Sequence, residues 1–598
     1  MGITAAGVDI FTAEVIRNGM SSAAVEMAKA LRRAAHNTLL YDVQDYGVGL
    51  ISAEGDLWGE APGISIFLGC LPDTIRSGLR THGPQGFREG DVLVVNDPYE
   101  TGTHVSDTSV YMPIFAAGEL VAFAISTAHW ADIGAKAPGG WCPDSTDVYQ
   151  EGVCFSHQKL VAAGHRNEDL WRLIDANVRV PSTVRGDLDA QIACCRLGAA
   201  RTLGLVAKYG LGVVRAAMAD TVERTEADIR RRIAEIADGT YEASVRLDFD
   251  GVVVGSRPLV KAAVTVTGDR ISVSFAGSDP ATSGPVNLPA VGTRSSAQVA
   301  LKALLMPLER TNAGHFRPFD FDIPEGLVVS PVRPNPCDSY GYVKGAVTEL
   351  VFRALASAMA DQAPAGGLQL LLAVYSRTDP RSGTPFLFTD PIHGGNGASA
   401  RGDGATLMRF DDGDAPNTPI EVAEMRFPLL CERYELRSGV AGAGRHRGGP
   451  GVVRDFRVLE PGIHLQTGME NTIDVLGKGL RGGGDGQPST VVAWPGTERE
   501  QRLERRVSAF GPLEPGDVVS MRSAGGGGWG PAHEREIERV LADVEDEIVT
   551  VEQARSDYGV ALEPHDGGWR VDAAATDALR RELRAAAAEP PSQARSRE

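Results

Sequence analysis

The sequence contains no stretch of about 18 uninterrupted apolar residues. A helix needs roughly that length to cross a bilayer, so a membrane span is excluded. It has no CxxC pair, and its seven cysteines (70, 142, 154, 194, 195, 337 and 431) are scattered. An odd, unpatterned set reads as reduced thiols of a cytoplasmic protein, not as a disulfide framework. Cys142 and Cys154 could be ligands or nucleophiles, but buried small apolar residues are the plainer reading. Basic residues are outnumbered, 59 against 78, for a net charge of −19. That argues against general nucleic-acid binding, which wants a basic face, and otherwise serves solubility. The opening MGITAAGVDIFTAEVIRNG has no basic n-region and no long apolar run, so it does not read as a signal peptide. Ala6 stands where a myristoylation pattern wants Ser or Thr. The G-x-x-x-x-G-K-[ST] phosphate loop is missing too, and Gly477-Lys478-Gly479 is its nearest piece. ATP binding by this chain is therefore not expected.

What is present is a long chain of ordinary globular composition, with 598 residues, 43% hydrophobic and 23% charged. Such a length predicts two to four domains. Residues 11–36 are spaced as a helix, 38–53 alternate as a strand, and AEGDLWGEAP reads as a hairpin turn with its return strand. Residues 64–84 read as helix, VLVVN as a buried strand entering a Pro/Gly loop, and 120–127 as a second apolar strand entering a polar loop. Residues 166–236 are mostly helical and 240–290 switch to alternation. Residues 292–308 and 345–362 return to helix. From about 384 onward glycine clusters at 394–397, 439–451, 482–486 and 525–530 accompany short strands. They could cradle anions through backbone N–H groups, but tight β turns are the simpler reading. A charged helix at 533–545 follows. The expected fold class is mixed α+β and multidomain. An N-terminal α/β part covers 1–236, a middle domain of strands then helices 237–383, a glycine-rich and mainly β part 384–575, and a frayed tail 576–598.

The chemistry concentrates where the two apolar strands give way to loops. The first loop offers Asn96, Asp97, His104 and Asp107, and the second His129 and Asp132. Imidazole nitrogen with carboxylate oxygen suits Zn²⁺, Mn²⁺ or Fe²⁺, and two His plus one carboxylate leave coordination positions open for water or substrate. Asp132, three residues after His129, could accept the free N–H of that imidazole, and Asn96 or Asp97 could do the same for His104. The alternative is a pair of loop histidines with satisfied hydrogen bonds, like most of the other ten.

The stretches GDVLVVNDPYETGTHVSDTSVYMPIF and FAISTAHWADIGAKAPGG resemble the hydantoinase B/oxoprolinase family. That family carries NDPY-x-GGTH-x-x-D and H-x-ADIGG-like segments. The resemblance continues through YQEGVCF, Asn177–Pro181, GDLDAQIAC, NTPIEVAEMRFPLL, ERYELRSGVAGAGRHRGGPGVVRDF, GGGDGQPS and SAGGGGWGP, in order along most of the chain. There are departures. Thr101-Gly102 replaces a Gly pair, Trp130 replaces a second His, and Ile66-Phe67-Leu68-Gly69 lacks a family histidine. The resemblance implies a divalent metal (Mn, Zn or Fe) on His104, Asp107 and His129, with Asp132 or Asp97 as proton acceptor. It implies a separate A-type, actin-fold ATPase subunit that binds ATP and phosphorylates the substrate, here a cyclic amide or imide. Two alternatives stay open: a subunit of an acetone- or acetophenone-type ketone carboxylase, and a non-catalytic scaffold.

Overall fold

The helix Ile10–Ala34 opens on Asp9, whose carboxylate accepts the Thr12 N–H at 2.9 Å. Its buried stripe (Ala13, Ile16, Met20, Ala24, Met27, Leu31) follows the three-to-four spacing of a helix with one face in the core. This computed structural model describes every residue except 1, 2, 5, 6, 62, 381, 382, 384, 409, 410, 412–414, 471–476, 504, 505 and 589–598. The end of the expected frayed tail thus lies outside the described residues. Its first part is the helix Ala573–Ala588.

The N-terminal sheet holds seven strands: β1 (Tyr46–Ser52), β2 (Leu57–Ala61), β3 (Val92–Val95), β4 (Asp107–Ala116), β5 (Glu119–His129), β6 (Gln158–Ala162) and β7 (His165–Arg166). Their spatial order is β2-β1-β5-β4-β3-β6-β7, antiparallel throughout. Helices Ile10–Ala34 and Pro181–Tyr209 cover one face, and Phe67–His82 packs on the other. Covered on both faces, β1 is buried at every residue, so the sequence there shows apolar continuity where a half-exposed strand would alternate. The expected strand over 38–53 accordingly begins late. Asn37 caps a short helix, Thr38–Tyr41, by accepting the Leu39 N–H at 3.1 Å, and β1 follows. The largest apolar core runs from Ile51 to Val374 without a break at 236.

A second sheet joins Gly239–Arg246, Leu259–Thr267, Arg270–Ser274 and Phe319–Asp322. Helices Ala290–Leu305 and Gly341–Leu355 lie between it and the N-terminal part. The C-terminal part is a sandwich. One sheet has strands 385–391, 371–378, 463–469 and 506–513, and the other 429–437, 451–458, 518–522, 490–493 and 501–502. Tyr375, Phe388 and Leu465 of one face Phe456, Val491 and Met521 of the other. The boundary expected at 383/384 falls inside a hairpin, because Thr378 pairs with Pro385.

The glycine clusters are not a set of tight turns. Residues 524–530 run through the middle of the segments near 394–398, 440–449 and 477–487, joined by backbone hydrogen bonds. Gly395 N donates to Ala524 O at 3.0 Å, Gly442 N to Gly526 O at 2.8 Å, and Gly528 N to Gly484 O at 2.9 Å. A Cβ on Gly526 would lie 1.9 Å from Asn396 O, so only glycine lets these backbones approach. These N–H groups are spent on carbonyls, which removes the anion-cradle reading for them.

Candidate metal centre

Asp107 is the first residue of β4 and His129 the last of β5, and the two are register partners across the antiparallel pair. The sheet itself therefore sets both side by side. His104 arrives by a different route. Asp97 caps the one-turn helix Pro98–Thr101, accepting the Tyr99 N–H at 3.2 Å, and Gly102 ends it in the left-handed region at φ 92°. A Cβ on Gly102 would meet Gly292 N at 2.7 Å, so this glycine of the family pattern is required twice over.

The three side chains are almost completely buried, at 4%, 1% and 8% exposure for His104, Asp107 and His129. His104 Nε2 lies 3.3 Å from Asp107 Oδ1, the two imidazoles meet edge to face at 5.0 Å, and one donor atom from each residue falls within 4.8 Å of the others. His104 Nδ1 donates to Asp338 O and His129 Nδ1 to Trp130 O, both at 3.0 Å. With Nδ1 committed, each neutral ring keeps its lone pair on Nε2, the tautomer a metal ligand needs. The Tyr340 hydroxyl donates to Asp107 Oδ2 at 3.1 Å and its ring edges His104 at 5.1 Å.

Charge balance points the same way. Burial opposes a charged His104, but the Asp107 carboxylate outweighs it and pushes the imidazole up to about 9. Burial, then the His104 charge, pushes His129 down to about 4. Burial also opposes a charged Asp107, yet His104 holds that carboxyl below its usual range. The metal-free centre is thus one carboxylate and two imidazoles sharing a single proton. A divalent ion would replace that proton, so the donor set fits such an ion in chemistry, tautomer and spacing.

The sequence expectations fare unevenly around this core. Asp132 is fully buried but does not reach the His129 ring. Its Oδ2 accepts Arg179 N at 2.7 Å and Gly134 N at 3.3 Å, and its Oδ1 accepts Arg179 Nη1 at 2.8 Å. It ties the loop after β5 to the Asn177–Pro181 segment. Asp97 is a helix cap paired with Arg333 at 2.7 Å. Asn96 spends its side chain on Val105 O, Val153 O and Phe155 N. None of these is the support for His104 or His129 that proximity in sequence suggested. His129 is supported by its neighbour Trp130, whereas the supports of His104 and Asp107 come from over 200 residues away. Asp338 offers its carbonyl to His104, and its own N–H and that of Cys337 are held at 2.9 Å by the buried Glu151. Cys142 is buried and its N–H donates to Asp338 Oδ2 at 2.8 Å, while Cys154 is exposed. All seven cysteines are free thiols.

A cavity of about 90 Å³ adjoins the centre, with His104, His129 and Tyr340 in its wall. Asp45, Trp141, Lys344, Thr389 and His393 also line it, so N-terminal, middle and C-terminal segments all contribute. Lys344, 3% exposed, places Nζ 3.2 Å from Asp411 Oδ2.

The family model for hydantoinase B/oxoprolinase matches residues 9–532. The chain belongs to the hydantoinase B/oxoprolinase family. It is 30% identical to the B component of a putative D-/L-hydantoinase from Pseudomonas sp. over 93% of this chain and 95% of that one. It is 28% identical to the beta chain of the Pseudomonas jessenii caprolactamase over 96% and 99% of the two chains. A crystal structure of the ATP-dependent caprolactamase from that organism superposes with a TM-score of 0.88 at 27% identity, covering 96% of this chain and 100% of that one. A nucleotide-free acetone carboxylase structure also gives 0.88, at 20% identity over 97% and 84%, a likeness of fold. Among the described residues of this family member, no helix is long and apolar enough to cross a membrane.

Proposed function

We propose that this chain is the metal-carrying B-type subunit of an ATP-dependent hydrolase acting on cyclic amides or imides, working on a substrate activated by a partner ATPase subunit of the A type. The observation that carries the reading is the register pair Asp107–His129, completed by His104 and opening on a cavity. His104, Asp107 and His129 would hold a divalent ion of manganese, zinc or iron. Bound there, the ion supplies Lewis-acid polarisation of a carbonyl or phosphoryl oxygen and a lowered water pKa. The chain's own residues do the rest. Asp338 and Trp130 carbonyls fix the two rings, and Tyr340 orients Asp107. Asp132 and Asp97 are engaged by arginines, and we assign both to holding loops in place of the proton-acceptor role.

Relatives named as the B or beta component of a larger enzyme support a hetero-oligomer, and the actin-fold, ATP-binding partner is part of the proposal. The free thiols agree with the reducing cytoplasm, where we place the complex. The hydrolase reading takes precedence over a ketone carboxylase because identity with the caprolactamase chain, 27%, exceeds that with acetone carboxylase, 20%. The test is to purify the chain with its ATPase partner and follow ATP consumption and ring opening across hydantoins, 5-oxoproline, lactams, and ketones with bicarbonate. Ring opening lost in a His104→Ala/His129→Ala variant is the expected result. Bicarbonate-dependent turnover of a ketone would replace it with the carboxylase reading, and full activity of the double variant would leave only a scaffold.

A further inference from the structure

The cavity beside the metal centre has a chemical character that narrows the substrate, and this inference rests on the cyclic-amide reading above. Its wall carries Leu39, Val43, Ile64, Trp141, Leu370 and Leu372, with Thr389 and His393 as hydrogen-bonding groups. Among the described residues, the one lysine or arginine in the wall is Lys344. That ammonium is engaged by Asp411, itself buried, at 3.2 Å. A second carboxylate, Asp45, also faces the space. His104 and His129 are committed to the metal site. A carboxylate on the substrate would therefore enter a largely apolar wall in which, among the described residues, the one fixed cation is already engaged and acidic groups lie nearby. Taking a charge out of water without a partner is among the most expensive steps in binding. An uncharged ring edge instead gains from burial against the aliphatic wall. The space is small, about 90 Å³, which limits the substrate to one ring with at most a small substituent such as a carboxamide or carboxylate.

We infer that the substrate of this site is a compact, uncharged lactam or imide, and that ring-matched analogues bearing a carboxylate are rejected because Lys344 is already neutralised by Asp411. The matched probes are 2-pyrrolidinone, 5-oxoprolinamide and 5-oxoproline. They share one ring and differ by nothing, a neutral substituent and a charged one of nearly the same size.

The holo-complex of this chain with its ATPase partner is assayed for ring opening of all three under ATP. The expected kcat/KM for 5-oxoproline is at least 100-fold below that for 2-pyrrolidinone, with 5-oxoprolinamide within about tenfold of the unsubstituted ring. Asp411→Asn, which removes the Asp411 charge from beside Lys344, narrows the 5-oxoproline gap by at least fivefold. Turnover of 5-oxoproline within threefold of 2-pyrrolidinone overturns the inference and leaves the hydrolase reading standing. Rejection of 5-oxoprolinamide as severe as that of 5-oxoproline also overturns it, because size and not charge would then decide. If none of the three rings is opened, the hydrolase reading for such rings falls. The inference is then read from calorimetric binding of the same three compounds to the manganese-loaded chain. The same 100-fold order supports it, and equal or undetectable binding of all three overturns it.

Discussion

Binding of a divalent ion to this centre should expel about one proton at pH 7.5, where two ordinary histidines would together carry only about 0.2. The perturbation is a pH series of metal binding to the stripped chain, with Mn²⁺ as the probe because it acidifies its own water less than zinc does. A ligating imidazole must be neutral, so any proton on it competes with the metal. Asp107 holds His104 protonated up to about 9, whereas His129 is already neutral above about 4. At pH 7.5 the centre therefore carries close to one proton, all of it on His104. Two unperturbed imidazoles near 6.5 would together carry only about 0.2. The affinity follows the same logic. It falls about tenfold per pH unit below 9, so pH 7.5 lies about 30-fold, or roughly 2 kcal/mol, under the alkaline limit. The assay is calorimetric titration in two buffers of different ionisation enthalpy, which reads protons released per metal directly. Release of about one proton and a single tenfold-per-unit slope from pH 6 to 8.5 are expected. Release of 0.2 or less at pH 7.5, with affinity flat above pH 7, would refute the shared-proton description of the site.

The same groups set the stability of the metal-free chain. A raised His104 pKa contributes stability that is fully present below about 6.5 and is lost as pH rises through about 9, so melting of the stripped chain should fall over that window and metal should abolish the fall. Tyr340→Phe removes the hydroxyl on Asp107 and should weaken Mn²⁺ binding about tenfold by the same titration, since outer partners of metal ligands typically carry that much. Asp132→Asn should lower stability by about 2 kcal/mol in thermal melts, because Arg179 is partly exposed and screened, while Mn²⁺ affinity stays within threefold. Loss of turnover without loss of stability in that variant would restore Asp132 to a chemical role. Gly526→Ala drives a Cβ to 1.9 Å from backbone that cannot move aside, and should cost about 4 kcal/mol or more and abolish soluble expression near 37 °C. Gly402→Ala, with nothing within 4 Å of its Cβ, should be silent in the same melts.

The centre was readable from sequence to the extent that its parts are local. His104 and Asp107 are three residues apart, and His129 follows after one hairpin, so a single supersecondary unit holds all three ligands. What could not be read was β4 itself. DTSVYMPIFA is interrupted by Pro113 and begins with the ligand, so Asp107 looked like the end of a loop when it is the start of a strand. Asp132 and Asp97 were misplaced for a related reason. Proximity along the chain suggested that they turn toward the histidines, but each loop closes on an arginine, Arg179 or Arg333, that the spacing could not reveal. The glycine clusters show the same limit. Glycine in sequence signals conformational freedom or close approach without distinguishing them. The distinction lies in the packing of 524–530 among three other glycine-bearing segments, which no local pattern encodes.

The division into domains meets the same obstacle, and here it bears on function. Asp338 and Tyr340 of the middle region bond His104 and Asp107, Thr389 and His393 of the C-terminal one line the cavity beside them, and Asp411 pairs with Lys344 in that wall. Nothing in a linear reading joins positions 230 to 300 residues apart, because loop closure over such spans leaves no local periodicity or spacing to detect. The ligands follow from one β-hairpin and the loop before it, but the selectivity follows from how the remaining regions close over that hairpin. If His104, Asp107 and His129 hold the proposed metal, substrate choice rests on the cavity wall, and the positions that should set it are 344, 389, 393 and 411 more than 104, 107 and 129.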